Sequence, residues 1–317
     1  MLERYKAILS GKKAPYFMQA KEEDDTSEYL LAEEEDLWEV HNELLKKEIP
    51  PLALKSELAY RMMDHCTLCE WRCGVDRNRG EKGRCKVSKR PRISSLFLHF
   101  GEEPDLIPSH TVFFSGCNFS CVFCQNYDIS QYPSSGQYVR PEVLAGRLDD
   151  GGGKNVNWVG GDPTPNLPYI IDVLELMNEP LPQIWNSNMY LSEEGMSILS
   201  KLVDLYLTDF KYGNDECAKR LSGIDSYTDV IQRNHLIAER TGDLIIRHLV
   251  LPGHIDCCTR PLLEWIDDEL ASPAVNLMTQ YRPCYKADSY AGIDRYLSEE
   301  EIGTVKRLRY EYSHLMI

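Results

Sequence analysis

The sequence has no uninterrupted apolar run approaching the roughly 18 residues that a membrane-spanning helix requires. Its first residues, MLERYKAILSGKK, also lack the sustained apolar stretch of a secretion signal. The chain therefore reads as cytoplasmic, with no membrane partner. Positive charge is scarce: 35 Lys and Arg stand against 50 Asp and Glu, a net charge of −15. A surface of that sign repels phosphate backbones and argues against a nucleic-acid partner. The deficit is uneven. Residues 22–48 hold 12 acids against 2 bases, whereas residues 66–92 hold 9 bases against 3 acids. The acidic block, EEDDTSEYLLAEEEDLWEV, reads as a solvated helical face or a mobile arm.

Cysteine is abundant. There are 11, an odd number. Seven fall in two tight groups, a pattern that metal sites require and disulfide frameworks do not. Cys217, Cys257, Cys258 and Cys284 lie outside those groups and are expected to be small buried hydrophobes. Cys257 and Cys258 adjoin an expected loop and stand out mildly for that reason.

Short apolar runs alternate with amphipathic stretches from residue 111 onward. The runs are 111–116, 156–161, 182–188, 202–210, 244–253 and 274–281. Between them, and after the last, apolar residues recur at three- and four-residue spacing, the mark of helices. This alternation predicts an α/β fold with six parallel strands, a partial (β/α)6 barrel or open sheet. Residues 1–60 are expected to form a mostly helical, acidic extension, 61–95 a cysteine knuckle, and 96–317 the barrel. In such folds chemistry gathers at the C-terminal strand ends.

The segment FFSGCNFSCVFCQN places Cys117, Cys121 and Cys124 at C-x3-C-x2-C spacing just after the first expected strand. Thiolates are soft donors for zinc, Cu(I) or iron–sulfur clusters. A four-iron cluster ordinarily takes four cysteines, so three on one loop leave one iron open to another ligand. The alternative is a zinc knuckle with a distant fourth ligand. The motif and its position resemble the radical S-adenosylmethionine (SAM) superfamily. That resemblance implies a 4Fe-4S cluster whose open iron binds SAM, and reductive cleavage of SAM to a 5′-deoxyadenosyl radical that abstracts hydrogen. Further segments match in order. Gly160, Gly161 and Asp162 resemble the family's Gly-Gly-Glu, whose backbone meets the SAM amino group; Asp for Glu is a departure. Phe123 matches the aromatic residue bordering adenine. Asn186 and Asn188 fall where ribose or carboxylate is bound. Asp209 and Lys211 resemble the Asp-x-Lys of glycyl-radical-enzyme activases, with the lysine reaching the SAM carboxylate. Arg247, His248 and the pair Gln125-Asn126 match the same activases. The resemblance implies that Asp209, Lys211, Arg247 and His248 surround the reacting groups.

The second group, Cys66, Cys69, Cys73 and Cys85, is a complete ligand set for one zinc or iron, with glycines at 74, 80 and 83 for tight turns. Together with GGDPTP and QYRPCYKA it resembles the X-type subfamily of pyruvate formate-lyase activating enzymes. A closed four-cysteine site is expected to be structural, with an electron relay or second cluster as the functional alternative.

The implied activity is hydrogen abstraction from the Cα of a residue in a protein substrate, with flavodoxin or ferredoxin as electron donor. One alternative is protein C-methylation, as in enzymes modifying methyl-coenzyme M reductase. If that reaction used cobalamin, residues 1–65 or a cavity beside the barrel would have to hold it. A radical enzyme acting on a small molecule and a non-enzymatic zinc-binding adaptor are the remaining classes.

Overall fold

The structure, a computed structural model, describes residues 2–21 and 31–317. Its centre is a seven-stranded sheet in the sequential order β1 to β7. The strands are β1 (Ile93–His99), β2 (Ser109–Phe114), β3 (Val156–Gly160), β4 (Gln183–Ser187), β5 (Leu205–Asp209), β6 (Asp243–Leu249) and β7 (Ala274–Met278). From β2 onward every pair is parallel, and these are the six strands expected. Strand β1 is additional and pairs antiparallel to β2. Its sequence, ISSLFLH, has half-exposed residues at most positions and no clean alternation, so it carried little strand signal.

The helices are α1 (Glu3–Leu9), α2 (Tyr16–Lys21), α3 (Glu34–Lys47), α4 (Leu52–Arg61), α5 (Tyr127–Ser130), α6 (Pro141–Asp149), α7 (Leu167–Leu176), α8 (Glu193–Leu199), α9 (Asp215–Ser222), α10 (Tyr227–Thr241), α11 (Arg260–Glu269) and α12 (Glu299–Glu311). Strand side chains alternate between two cores, as period two requires. Trp185, Tyr206, Ile246 and Val275 join the large core between sheet and helices. Ile184, Leu205, Leu207, Ile245 and Ala274 form a separate cluster on the other face.

That second cluster is completed by Leu2 and Tyr5 of the N-terminal segment and by Leu106. Helix α1 therefore closes the base of the barrel. Arg4 Nη2 pairs with Asp204 at 2.8 Å, the Tyr5 amide donates to Asp243 at 2.7 Å, and Asn155 Nδ2 donates to the Tyr5 hydroxyl at 2.7 Å. Asp204, Asp243 and Asn155 all stand at strand N-termini. Farther on, Phe17, Leu37, Leu52, Leu54 and Leu58 pack into the main core. The described part of the extension is thus built into the barrel. Of the acidic block, residues 22–30 lie outside the described residues. In the rest of it, α3 buries Leu37 and His41 and carries its acids on the outer side. Among the described residues, no helix is long and apolar enough to cross a membrane.

Candidate active site

The cysteine loop follows β2, and backbone geometry fixes its course. Gly116 has φ +97°, and a Cβ there would lie 2.4 Å from Val87 Cγ2 and 2.7 Å from the Cys85 carbonyl. Only glycine fits, and the contact puts the loop directly on the knuckle. Gly160 (φ +133°) and Gly161 are as tightly held, with a Cβ at either meeting the Phe114 or Gly116 carbonyl at 2.1 Å. The loop then docks on the end of α9, where the Ser120 and Val122 amides donate to the Ser222 and Leu221 carbonyls at 3.1 and 2.9 Å.

Cys117, Cys121 and Cys124 all line one cavity of about 890 Å³ at the C-terminal strand ends. Each sulfur has a local polar partner: the Phe119 amide at 3.3 Å from Cys117, the Ser222 hydroxyl at 2.9 Å from Cys121 and the Ser130 hydroxyl at 3.2 Å from Cys124. Burial pushes all three thiols up, Cys121 to about 11 even with the Lys211 ammonium nearby. A metal must therefore displace protons to bind, while the donors stabilise the thiolates it needs. The three sulfurs do not converge on a point. Among the described residues, only Cys217, His254, Cys257 and Cys258 bring three or more ligand atoms within 4.8 Å of one another. Three soft donors facing a common space, spread wider than ligands of one ion, suit a cluster better than a single zinc.

Phe123, Gly160, Gly161, Asp162, Asn186, Asn188, Asp209, Lys211 and Arg247 line the same cavity, as do Gln125 and Asn126 at its exposed rim. Their roles differ. Phe123 is held edge-on between Tyr212 and Tyr281, with ring centroids 6.5 and 6.1 Å away. Asp162 turns its carboxylate inward, accepting from the Thr164 amide (2.9 Å), the Ser187 hydroxyl (3.0 Å) and the Asn188 amide (2.9 Å). It braces the end of β4. Asn188 donates in turn to Asn118 Oδ1 at 2.7 Å, beside the cysteine loop. Lys211 Nζ sits 2.6 Å from Asp209 Oδ2. Burial opposes its charge, but the Asp209 carboxylate, with the Cys121 sulfur when ionised, outweighs burial and moves its pKa upward. Lys211 thus keeps its charge.

Arg247 and His248 are held differently from the other expected residues. Arg247 lines the cavity, but its guanidinium is not free for a carboxylate. Its Nε and Nη2 donate to Glu103 at 2.9 and 2.6 Å, and Nη2 also donates to Glu102. Asn157 and Asn276 bind the same two carboxylates at 3.0 Å each. The β1–β2 loop thereby reaches into the lumen and bridges β3, β6 and β7, making a charged floor. Glu102 and Glu103 were not anticipated, because no local spacing links them to a residue 144 positions away. His248 does not line the cavity at all. Next to Arg247 on β6, it points to the opposite face, with Nδ1 2.8 Å from the Phe210 carbonyl and Nε2 2.9 Å from the Thr259 hydroxyl.

The knuckle lies behind the cysteine loop. Trp71 Nε1 donates to the Asn118 carbonyl at 2.8 Å, and the buried Arg77 donates to the Val87 and Pro165 carbonyls at 3.1 and 2.6 Å. Cys66, Cys69, Cys73 and Cys85 are all free thiols. No three of them lie within 4.8 Å of one another, so they are spaced wider than ligands of one tetrahedral ion. Residues of α3 border a second cavity of about 840 Å³, between α3, α8 and α10, which shares no lining residue with the first.

The family model described as the Radical SAM superfamily matches residues 111–266, from β2 into α11. The chain belongs to the radical SAM superfamily, and membership implies a 4Fe-4S cluster and SAM. It is 44% identical to "Uncharacterized protein MJ0674" of Methanocaldococcus jannaschii, over 98% of both chains. Among solved structures, it is similar to Streptococcus suis SuiB bound to the precursor peptide SuiA (TM-score 0.44, 14% identity), covering 62% of this chain and 44% of SuiB. It is also similar to methylornithine synthase, PylB (TM-score 0.42, 15% identity), covering 97% of this chain and 77% of that one. The chain thus spans less than half the length of SuiB. Likenesses at this level leave the assignment resting on the family match.

Proposed function

We propose that this radical SAM enzyme abstracts hydrogen from the Cα of a residue in a protein substrate, as in glycyl-radical activation. The observation that supports the reading is one cavity that sets Cys117, Cys121 and Cys124 against a charged Asp209–Lys211 pair below an exposed rim. Its volume of about 890 Å³ is near the top of the range of roughly 300–1,000 Å³ for small-ligand sites. Space therefore remains beside a nucleoside-sized cofactor for part of a second molecule.

When bound, the cluster and SAM would supply the 5′-deoxyadenosyl radical. The chain's own residues hold and aim. Lys211 would receive the SAM carboxylate, Phe123 would border the adenine, and the Gly160-Gly161 backbone would meet the amino group. Asn186 would take the ribose. Asp162 acts as a positioning residue, since its carboxylate is spent on the end of β4. Arg247, with Glu102 and Glu103, would form the floor beneath the reacting groups. A substrate entering past Gln125 and Asn126 would have to bring its Cα to roughly 3–3.5 Å from the abstracting carbon. The knuckle is proposed to hold a second metal, zinc or iron, whose binding would draw its four sulfurs together and brace the cysteine loop from behind.

The test uses anaerobically reconstituted protein, SAM and extract of the native host grown on Cα-deuterated amino acids, split into macromolecular and small-molecule fractions. Deuterium should enter 5′-deoxyadenosine only with the macromolecular fraction. Transfer only from the small-molecule fraction would sink the protein-substrate reading.

A further inference from the structure

A third group of potential ligands lies outside the cavity. Cys217 stands in the first turn of α9. His254, Cys257 and Cys258 stand on the turn that leads from β6 into α11. Cys257 Sγ is 3.9 Å from both Cys217 Sγ and Cys258 Sγ. His254 Nδ1 is 3.4, 3.3 and 4.0 Å from the sulfurs of Cys217, Cys257 and Cys258. Tetrahedral zinc, with Zn–S of about 2.3 Å and Zn–N of about 2.0–2.1 Å, places S···S at about 3.8 Å and S···N at about 3.6 Å. These five distances lie within about 0.4 Å of that spacing, and Cys217 Sγ and Cys258 Sγ are within 4.8 Å of each other.

The backbone accounts for the convergence. Ile255–Thr259 forms a π-helical turn in which the Cys258 and Thr259 amides both donate to the His254 carbonyl, at 2.9 and 3.3 Å. Residues 254, 257 and 258, at i, i+3 and i+4, therefore share one face; such turns often mark functional sites. Asn214 caps α9 by accepting from the Cys217 amide at 2.8 Å, and its Nδ2 donates to the Cys257 carbonyl at 2.6 Å. Gly213 lets the two loops close up, since a Cβ there would meet the Cys258 carbonyl at 2.6 Å. Cys217, His254 and Cys258 are buried while Cys257 is exposed, which leaves a way in for an ion.

We propose that Cys217, His254, Cys257 and Cys258 form a tetrahedral Zn2+ site that ties the loop after β5 to the loop after β6. A thiol pair poised for a disulfide would not need the imidazole, and sulfurs 3.9 Å apart are unbonded. Three thiolates and one neutral imidazole leave a bound Zn2+ with net charge −1. Arg220 is in place to offset that charge; its Nη2 lies 3.0 Å from His254 Nε2. Metal on Nδ1 puts the ring proton on Nε2, so this exposed guanidinium must swing off that nitrogen when the ion binds. The site also reaches the cysteine loop mechanically. α9 carries Cys217 in its first turn and ends at Ser222, whose hydroxyl contacts both Cys121 and Tyr212, at 2.9 and 2.6 Å.

The inference is independent of the proposed reaction, and its test needs neither cluster nor SAM. Full-length wild-type protein, Cys257→Ser and His254→Gln are prepared anaerobically and dialysed against a mild chelator, and bound zinc is then measured per chain. The other seven cysteines of the two groups are common to all three proteins, so the difference isolates this site. Each variant should hold one Zn2+ fewer than wild type. After Co2+ substitution, the wild-type-minus-variant spectrum should show thiolate-to-cobalt charge transfer and the strong d–d bands of a tetrahedral ion. Because Cys257 is exposed, its replacement should leave the fold intact, checked by circular dichroism. Equal zinc content in wild type and a folded Cys257→Ser protein would overturn the proposal, as would a difference spectrum without tetrahedral bands.

Discussion

The two ends of the barrel are built on opposite terms. At the mouth, polar and titratable groups are held at a cost. One buried and two half-buried thiols are pushed up, a half-buried lysine stays charged, and glycines occupy positions where any side chain would clash. At the base, Tyr5, Leu106, Ile184, Leu205 and Ile245 are fully or almost fully buried against one another. A mouth arranged in this way can bind and react but adds little stability. A base filled by the N-terminal helix stabilises the barrel and touches the cavity through Leu2, Lys6 and Ile245, without any of the expected cluster, cofactor or catalytic residues. Substitutions at the two ends should therefore separate activity from stability.

The largest expected effect is on activity alone. Cys121→Ala should reduce 5′-deoxyadenosine formation from SAM to the no-enzyme background. Its stability cost should be only about 1 kcal/mol, because a small side chain is lost from a loop already held by backbone bonds to α9. Full cleavage by this variant would break the assignment of the mouth. Tyr5→Ala should do the reverse. Emptying a fully buried aromatic position at the base should cost about 3–5 kcal/mol in denaturant unfolding. Cleavage per folded molecule should be unchanged. A specific loss of cleavage in the folded Tyr5→Ala protein would show that the two ends are coupled.

Arg247 lies between the ends and should show both effects. Removing it leaves Glu102 and Glu103 mostly buried without their cation, worth about 3 kcal/mol of stability. Adding Glu102→Gln and Glu103→Gln to Arg247→Ala should restore most of that loss in thermal unfolding. If Arg247→Ala is as stable as wild type, the floor is not the structural feature described.

What could be read from the sequence follows the same division. The gathering of the mouth residues in one cavity could be expected because the motifs are local and resemble the family's: C-x3-C-x2-C within eight residues, Gly-Gly-Asp at one strand end, Asp-x-Lys at another. The six parallel strands were legible from alternation. The base and the floor were not, because Tyr5 meets Asn155, and Glu103 meets Arg247, across about half the chain. The zinc ligands proposed above were missed for a related reason. Cys217 lies in α9 and His254 in the turn after β6, and each alone looks like an ordinary buried residue. His248 was expected at the mouth by resemblance to the activases, whereas the strand turns it to the face opposite Arg247, since successive strand residues face opposite sides.

The smallest effect is a pH dependence confined to the base. Asp204 is fully buried, and burial raises its pKa to about 6, even though Arg4 and the Gln183 and Tyr16 amides favour the carboxylate. The unfolded chain would titrate near the ordinary 3.8. The folded state therefore binds the extra proton between these values, and each rise in pH through that interval favours unfolding. The contribution is full below the unfolded pKa and is lost as pH rises through about 6. Between pH 5 and 7 the remaining loss amounts to about 1 kcal/mol. Asp204→Asn cannot titrate and should lack this component. Urea unfolding of both proteins at several pH values gives the test. The stability of wild type relative to Asp204→Asn should fall by about 1 kcal/mol from pH 5 to 7. A difference that stays flat or rises would mean that the Arg4 pairing outweighs burial and that Asp204 is ionised throughout. The base would then be held by a charge pair, with the same kind of buried electrostatics as the mouth.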